Sequence, residues 1–136
     1  MNIALFYIKG ETKYKESLFM ITSVNSNISA LQAFSKQMAV SANNVANALS
    51  DDFKKNHAIN TEGENGQVQT TITNINTPGP LVDDPLSTTG ELKKSSNTDI
   101  AEEMVNQIIA SQGYKANTKV IKTYEETIGS LIDLIG

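Results

Sequence analysis

The sequence has 136 residues, a length typical of one domain, with a net charge of −4 and only 19% charged residues. All eleven positive charges are lysines, and the acidic balance argues against a surface for nucleic acid. The absence of cysteine excludes disulfides and thiolate metal sites. No apolar run reaches the roughly 18 residues that a membrane span needs, so we expect no direct membrane insertion.

The first segment, residues 1–19, differs in composition from the rest of the chain and is interpreted as an atypical N-terminal extension, with Met20 as an alternative native start. It lacks the charged region, apolar core and small-residue cleavage site of a secretory signal. If the protein leaves the cytoplasm, we therefore expect export without a cleavable signal peptide.

The second segment, residues 20–50, is predicted to be a helix over about residues 25–49, because apolar side chains recur there at steps of three and four. Asn43, Asn44 and Asn47 are poor helix formers within it. Either they lie on a solvated face, or their amides bond neighbouring backbones in a packed assembly. The recurring apolar residues are Ile28, Leu31, Phe34, Met38, Ala42, Val45 and Leu49.

The third segment, residues 51–98, is polar and rich in turn residues. Val68, Thr70 and Ile72 alternate with polar residues, which predicts a half-buried strand. Residues 87–98 have little apolar content and are interpreted as a linker. We expect one small irregular or β-hairpin insert here.

The last segment, residues 99–136, is predicted to be a long helix with Asp99 as its N-cap. From Tyr114 its apolar residues follow a heptad-like line, and Asn117 lies on it, either to specify register or exposed by a local twist. Lys115, Lys119 and Lys122 form a basic stripe, interpreted as a solvated face or as salt-bridge donors to a neighbour's carboxylates. The line comprises Tyr114, Ile121, Tyr124, Ile128, Leu131 and Ile135.

Together these patterns predict a mainly α fold, in which long N- and C-terminal helices pair as a coiled-coil hairpin around the small insert. The sequence offers no catalytic chemistry. His57 is the only histidine and is expected to be exposed, and no phosphate loop or metal-binding helix motif is present. We expect no enzyme activity, no cofactor and no metal.

Two segments resemble one family. Residues 42–47, Ala-Asn-Asn-Val-Ala-Asn, match the "ANNIAN" signature in the N-terminal helix of bacterial flagellar rod and hook proteins. Residues 99–106 and 110–117 are similar to the C-terminal helix of the same family. The short middle is typical of the small rod proteins, and the C-terminal segment most resembles the proximal rod protein of the C type. The chain departs from the family at Gly113, where a better helix former is usual.

The resemblance implies a structural subunit of the flagellar basal-body rod, which stacks through its terminal helices into a tube that transmits motor torque. It also implies other rod subunits and further copies of the chain as partners, passage through the flagellar type III export apparatus, and a place in the periplasmic rod. The alternative is a small helical adaptor that binds flagellar export or assembly components.

The expected assembly interface combines the apolar lines with the Asn motif. Its residues are Leu31, Phe34, Met38, Asn43, Asn44, Val45, Asn47, Met104, Ile108, Tyr114, Asn117, Ile121, Tyr124, Ile128 and Leu131.

Overall fold

The computed structural model describes the backbone of residues 3–135 and the side chains of residues 22–134. The predicted extension 1–19 and the alternative start at Met20 lie outside the described side chains. No helix within the described residues is apolar enough over its length to cross a membrane. The elements are α1 (Ile3–Ala46), β1 (Asn56–Glu62), a 3-10 turn (Glu64–Gly66), β2 (Val68–Asn74), β3 (Leu81–Asp83), β4 (Leu92–Lys94) and α2 (Ile100–Ile135).

The predicted coiled-coil hairpin with one insert is wrong. The described residues form two helices and two small antiparallel sheets, β1–β2 and β3–β4. Large side chains assigned to the helix-pairing lines, such as Ile28 and Leu131, are 43% and 48% exposed. Among residues 22–134, the buried residues are instead small or polar: Ala33, Ser41, Asn44, Ala48, Ser96, Glu103 and Ala110.

Helix α1 is longer than its predicted span and ends at Ala46 rather than Leu49. Ser29 lies inside this helix. Its hydroxyl donates to the Ser26 carbonyl at 2.8 Å and accepts the Val68 N–H at 2.9 Å. The Ser29 side chain therefore joins α1 to the start of β2.

The first hairpin, β1–β2, turns at Asn65 and Gly66, both at positive φ (58° and 72°). Asn and Gly tolerate this conformation best, which explains the sharp turn. Along β2, Val68 and Thr70 are half-buried towards α1, as the alternation predicts, whereas Ile72 is 51% exposed. The Thr70 hydroxyl donates to Asn60 Oδ1 across the strands at 2.9 Å, so polar side chains line the inner face of the sheet.

The second hairpin, β3–β4, occupies part of the segment interpreted as a linker. Gly79 lies so close to the Ser95 and Ser96 backbone that a Cβ there would collide with the Ser95 carbonyl. The Ser95 N–H donates to the Pro80 carbonyl at 2.9 Å and closes the base of the hairpin. The strands are short and of mixed composition, so they show no alternation of apolar and polar residues from which they could be predicted.

Asn97 ties the two ends of the first hairpin to the start of α2. Its Oδ1 accepts the Lys55 N–H at 2.7 Å, and its amide donates to the carbonyls of Ile75 and Thr77 at 2.8 and 2.9 Å. One side chain thus fixes the chain entering β1 and the chain leaving β2.

The predicted N-cap of α2 is confirmed. Asp99 Oδ1 accepts the N–H groups of Ala101 and Glu102 at 2.9 and 3.2 Å. Glu102 and Glu103 lie in the first turn, where negative charge is favoured by the helix dipole.

Helix α2 meets α1 at Gly113. A Cβ at this position would lie 2.5 Å from Cε1 of the Phe34 ring. The aromatic ring therefore packs directly on the glycine backbone. Gly113 therefore lowers the helix propensity of α2, but its lack of a Cβ makes room for the Phe34 ring.

We predict opposite effects for two glycines of α2. Gly129→Ala should raise the free energy of unfolding by up to about 1 kcal/mol, because helix propensity improves and a Cβ at Gly129 meets nothing within 4 Å. Gly113→Ala should lower it by about 1–3 kcal/mol, because the Phe34 ring must move. Urea unfolding followed by circular dichroism measures both, and equal stabilisation by the two changes would contradict the contact.

Candidate assembly interface

The Asn motif contains one buried residue. Asn44 is fully buried, and both the oxygen and the nitrogen of its side-chain amide form hydrogen bonds. Its Oδ1 accepts the Asn56 N–H at 2.9 Å, and its Nδ2 donates to the Asn56 carbonyl at 2.7 Å. Asn44 therefore pairs with the first residue of β1 as a neighbouring strand would, and fixes where the sheet begins against α1.

The same amide reaches α2. Asn44 Nδ2 donates to Glu103 Oε1 at 2.9 Å, and the Ser41 hydroxyl donates to the Glu103 carbonyl at 2.7 Å. Glu103 is only 4% exposed. Its charge lies in the first turn of α2, where the helix dipole and the Asn44 amide stabilise it. The cluster of Ser41, Asn44, Asn56 and Glu103, here called the polar junction, joins α1, β1 and α2.

The other motif asparagines have different surroundings. Asn43 is exposed, and the half-buried Asn47 donates to the Asn43 carbonyl at 2.9 Å within α1. Each interpretation of the motif therefore fits only part of it. One asparagine is solvated, and another bonds a backbone, but that backbone belongs to its own chain.

The four apolar α1 residues expected at the interface are Leu31, Phe34, Met38 and Val45. All four are half-buried. Phe34 packs on Gly113 of α2. The structure therefore places part of their surface inside the chain.

On α2 the expected residues divide into two groups. Met104 and Ile108 are 57% and 60% exposed, on the side of the helix opposite the buried Glu103 and Ala110. Ile100, Val105 and Ile109 are exposed beside them by 44% to 61%. These five side chains form what we call the α2 apolar face: Ile100, Met104, Val105, Ile108 and Ile109.

The C-terminal part of the predicted line is less exposed. Ile121, Tyr124 and Ile128 are half-buried, whereas Tyr114 and Leu131 are 37% and 48% exposed. Asn117 is half-buried and donates to the Gly113 carbonyl at 3.0 Å. The Asn117 amide therefore bonds its own helix backbone.

Sequence reasoning missed Ser41, Asn56 and Glu103 of the polar junction. Nothing in the local sequence pattern pairs Glu103 with Asn44. Val105 and Ile109 were also missed, although their spacing of four beside Met104 and Ile108 is a helical signal.

His57 is exposed, as predicted. Within the part of the chain that the structure describes, no three His, Asp or Glu side chains group as metal ligands. A cleft beside the polar junction, lined partly by Asn106 and His57, has a volume of about 90 Å³. A groove along α2, lined partly by Tyr124 and Ile128, has a volume of about 670 Å³. Typical ligand pockets hold about 300–1,000 Å³, so the cleft is smaller than these and the groove lies within their range.

Comparison with known proteins points to one family. Residues 90–134, which contain β4 and most of α2, match the family model "Flagellar basal body rod FlgEFG protein C-terminal". The flagellar hook protein FlgE of Escherichia coli K12 is 29% identical over 84 residues, which cover 61% of this chain and 21% of the relative. FlgE of Salmonella typhimurium is 28% identical over 85 residues, with the same coverage.

The C-terminal part of the chain is therefore similar to the flagellar basal-body rod and hook proteins. The chain spans about a fifth of the length of the curated relatives it matches. The α2 apolar face and the Glu103 end of the polar junction both lie within the matched segment.

We predict that neighbouring asparagines contribute unequally to stability. Asn44→Ala should lower the free energy of unfolding by about 2–4 kcal/mol, because it leaves the Asn56 backbone and the Glu103 carboxylate without their partner. Asn43→Ala is the matched control, since Asn43 is exposed one residue away, and it should change stability by less than about 0.5 kcal/mol. Chemical denaturation measures both, and similar values would contradict the assigned role of the polar junction.

Proposed function

We propose that this protein is a structural subunit of the flagellar basal-body rod, assembled with further copies and other rod subunits into a helical tube that transmits motor torque. It acts without catalysis or cofactor. The observation that carries the proposal is the α2 apolar face, which lies in the segment shared with the rod and hook family.

Burial of this face would drive assembly. Its five side chains are roughly half exposed, and complete burial of one such side chain contributes about 1.5–3 kcal/mol. Neighbouring subunits that cover the face would therefore supply about 4–7 kcal/mol per subunit. Contiguous apolar patches of this kind mark association sites.

The short middle favours the rod over the hook. Two hairpins are all that separate α1 from α2, whereas the curated hook relatives are about five times longer than the matched stretch. The resemblance to the small proximal rod protein of the C type supports the same choice. The proposed location is the periplasmic rod of the basal body.

The composition of the core suits export in an unfolded state. The buried apolar residues among those described are three alanines, so the isolated chain has little apolar burial to offset the entropy of ordering. A marginal core unfolds readily for the flagellar type III export apparatus, and assembly then supplies the missing burial. Under this proposal the exposed interface residues contact neighbours, whereas Asn44 and Phe34 hold the subunit in shape.

Changing one exposed apolar side chain tests the proposal. Ile108→Asp should leave helix content and unfolding midpoint close to those of the wild type, because Ile108 is 60% exposed. It should abolish swimming, because a carboxylate would be buried between subunits. Ile108→Met keeps the site apolar and should swim. Normal swimming of the Ile108→Asp strain, at normal protein levels, would reject the structural role.

A further inference from the structure

The β3–β4 hairpin exposes apolar and acidic side chains together. Leu81, Leu86 and Leu92 are 61%, 90% and 55% exposed. A two-stranded hairpin gains little stability from its own contacts, so uncovered leucines on it are costly. Asp83 and Glu91 are exposed beside them. We call these five residues the hairpin surface.

Charge is ordered along this hairpin. Residues 83–91, at its tip, carry three carboxylates and no basic residue. Leu81 and Leu92 lie nearer the base on one face, because Leu92 pairs with Asp83, two residues after Leu81. At the base stand Lys94 and Lys93, of which Lys93 donates to Asp51 Oδ2 at 2.9 Å, a hydrogen bond that raises the pKa of Lys93. From base to tip the charge therefore changes from basic, where Lys94 lies opposite Leu81, to acidic, where Asp83 lies opposite Leu92.

The outward side of α2 carries an apolar patch followed by a basic one. Met104 and Ile108 lie there near the start of the helix, and Lys115 and Lys119 come next on the same side. Both lysines are exposed and form no ion pair with the carboxylates of residues 22–134. The order from apolar to basic is complementary to the leucines and acidic tip of the hairpin.

The acidic tip cannot reach Lys119 within one chain. The hairpin ends at Lys94, shortly before the N-cap of α2, and its base is held where the Asp52 N–H donates to the Lys94 carbonyl at 2.9 Å. Lys119 lies about 29 Å further along α2, at 1.5 Å per residue. The hairpin extends about 17 Å from Lys94 to its tip, at 3.3 Å per residue. A second molecule must supply one of the two surfaces.

We propose that the hairpin surface of one copy docks on the outward side of α2 in a second copy. The leucines cover Met104 and Ile108, and the acidic tip pairs with Lys115 and Lys119. Because each copy offers both surfaces, the contact is head-to-tail and extends into an open assembly. The proposal deepens the proposed function by naming which surfaces of two copies meet.

Two charge-reversed variants test the contact. D83K/E91K carries two basic surfaces and K115E/K119E carries two acidic ones, so each variant repels itself. Sedimentation velocity of each purified full chain should show self-association about tenfold weaker than in the wild type. An equimolar mixture should recover it, because every hairpin then meets a helix of opposite charge. K36E/E64K, which reverses exposed charges outside both surfaces, should behave as the wild type.

Recovery on mixing cannot arise from misfolding, so it supports the contact directly. Three results would overturn the contact. Either variant alone could associate as strongly as the wild type, the mixture could fail to recover association, or the wild-type chain could show no self-association. The proposed function is tested separately by swimming of the Ile108→Asp strain. Recovery on mixing together with normal swimming would reject the flagellar role and keep the contact. Loss of swimming in the Ile108→Asp strain, together with no recovery of association on mixing, would keep the flagellar role and reject the contact.

Discussion

The amide of Asn44 is the interaction on which the described fold depends. Its Oδ1 and Nδ2 hold the Asn56 backbone as a strand would, and Nδ2 also reaches the Glu103 carboxylate. A core whose buried apolar residues, among those described, are alanines cannot by itself fix three elements against one another. Directional hydrogen bonds do so, and because they are buried, each is costly to break. The stability of this chain is therefore concentrated in a few polar contacts.

A consequence is that large apolar side chains are free for other contacts. Small residues let α1 and α2 approach closely, to the point that the Phe34 ring rests on Gly113. Ile100, Met104, Ile108 and Ile109 of α2 are exposed, and the leucines of the β3–β4 hairpin are exposed as well. In a monomer this distribution is unfavourable. In an assembly the same distribution is favourable, because polar contacts fix the shape of the subunit and apolar surfaces bind its neighbours.

Local features of the fold can be predicted from the sequence, and distant ones cannot. The Asp99 cap depends on residues within one turn and was predictable. The Asn44–Glu103 contact joins residues 59 positions apart, so no periodicity of the sequence predicts it. In the sequence, Gly113 is a residue of low helix propensity. In the structure, its lack of a Cβ lets the Phe34 ring pack on α2. The coiled-coil prediction failed because heptad-like spacing shows that a helix has an apolar side, but does not show whether that side faces its own chain or a neighbour. The β3–β4 strands, three residues each, are too short to show alternation.

A rod subunit, as proposed for this chain, is built into the basal body. Quantitative mass spectrometry of basal bodies, purified and washed in high salt, is the measurement that tests this proposal. Peptides from both α1 and α2 should remain after washing, in a fixed ratio to other rod subunits, because apolar burial rather than surface charge holds the protein in place. A protein that is expressed in the cell but absent from intact, washed basal bodies would contradict the proposal and favour an adaptor of export or assembly.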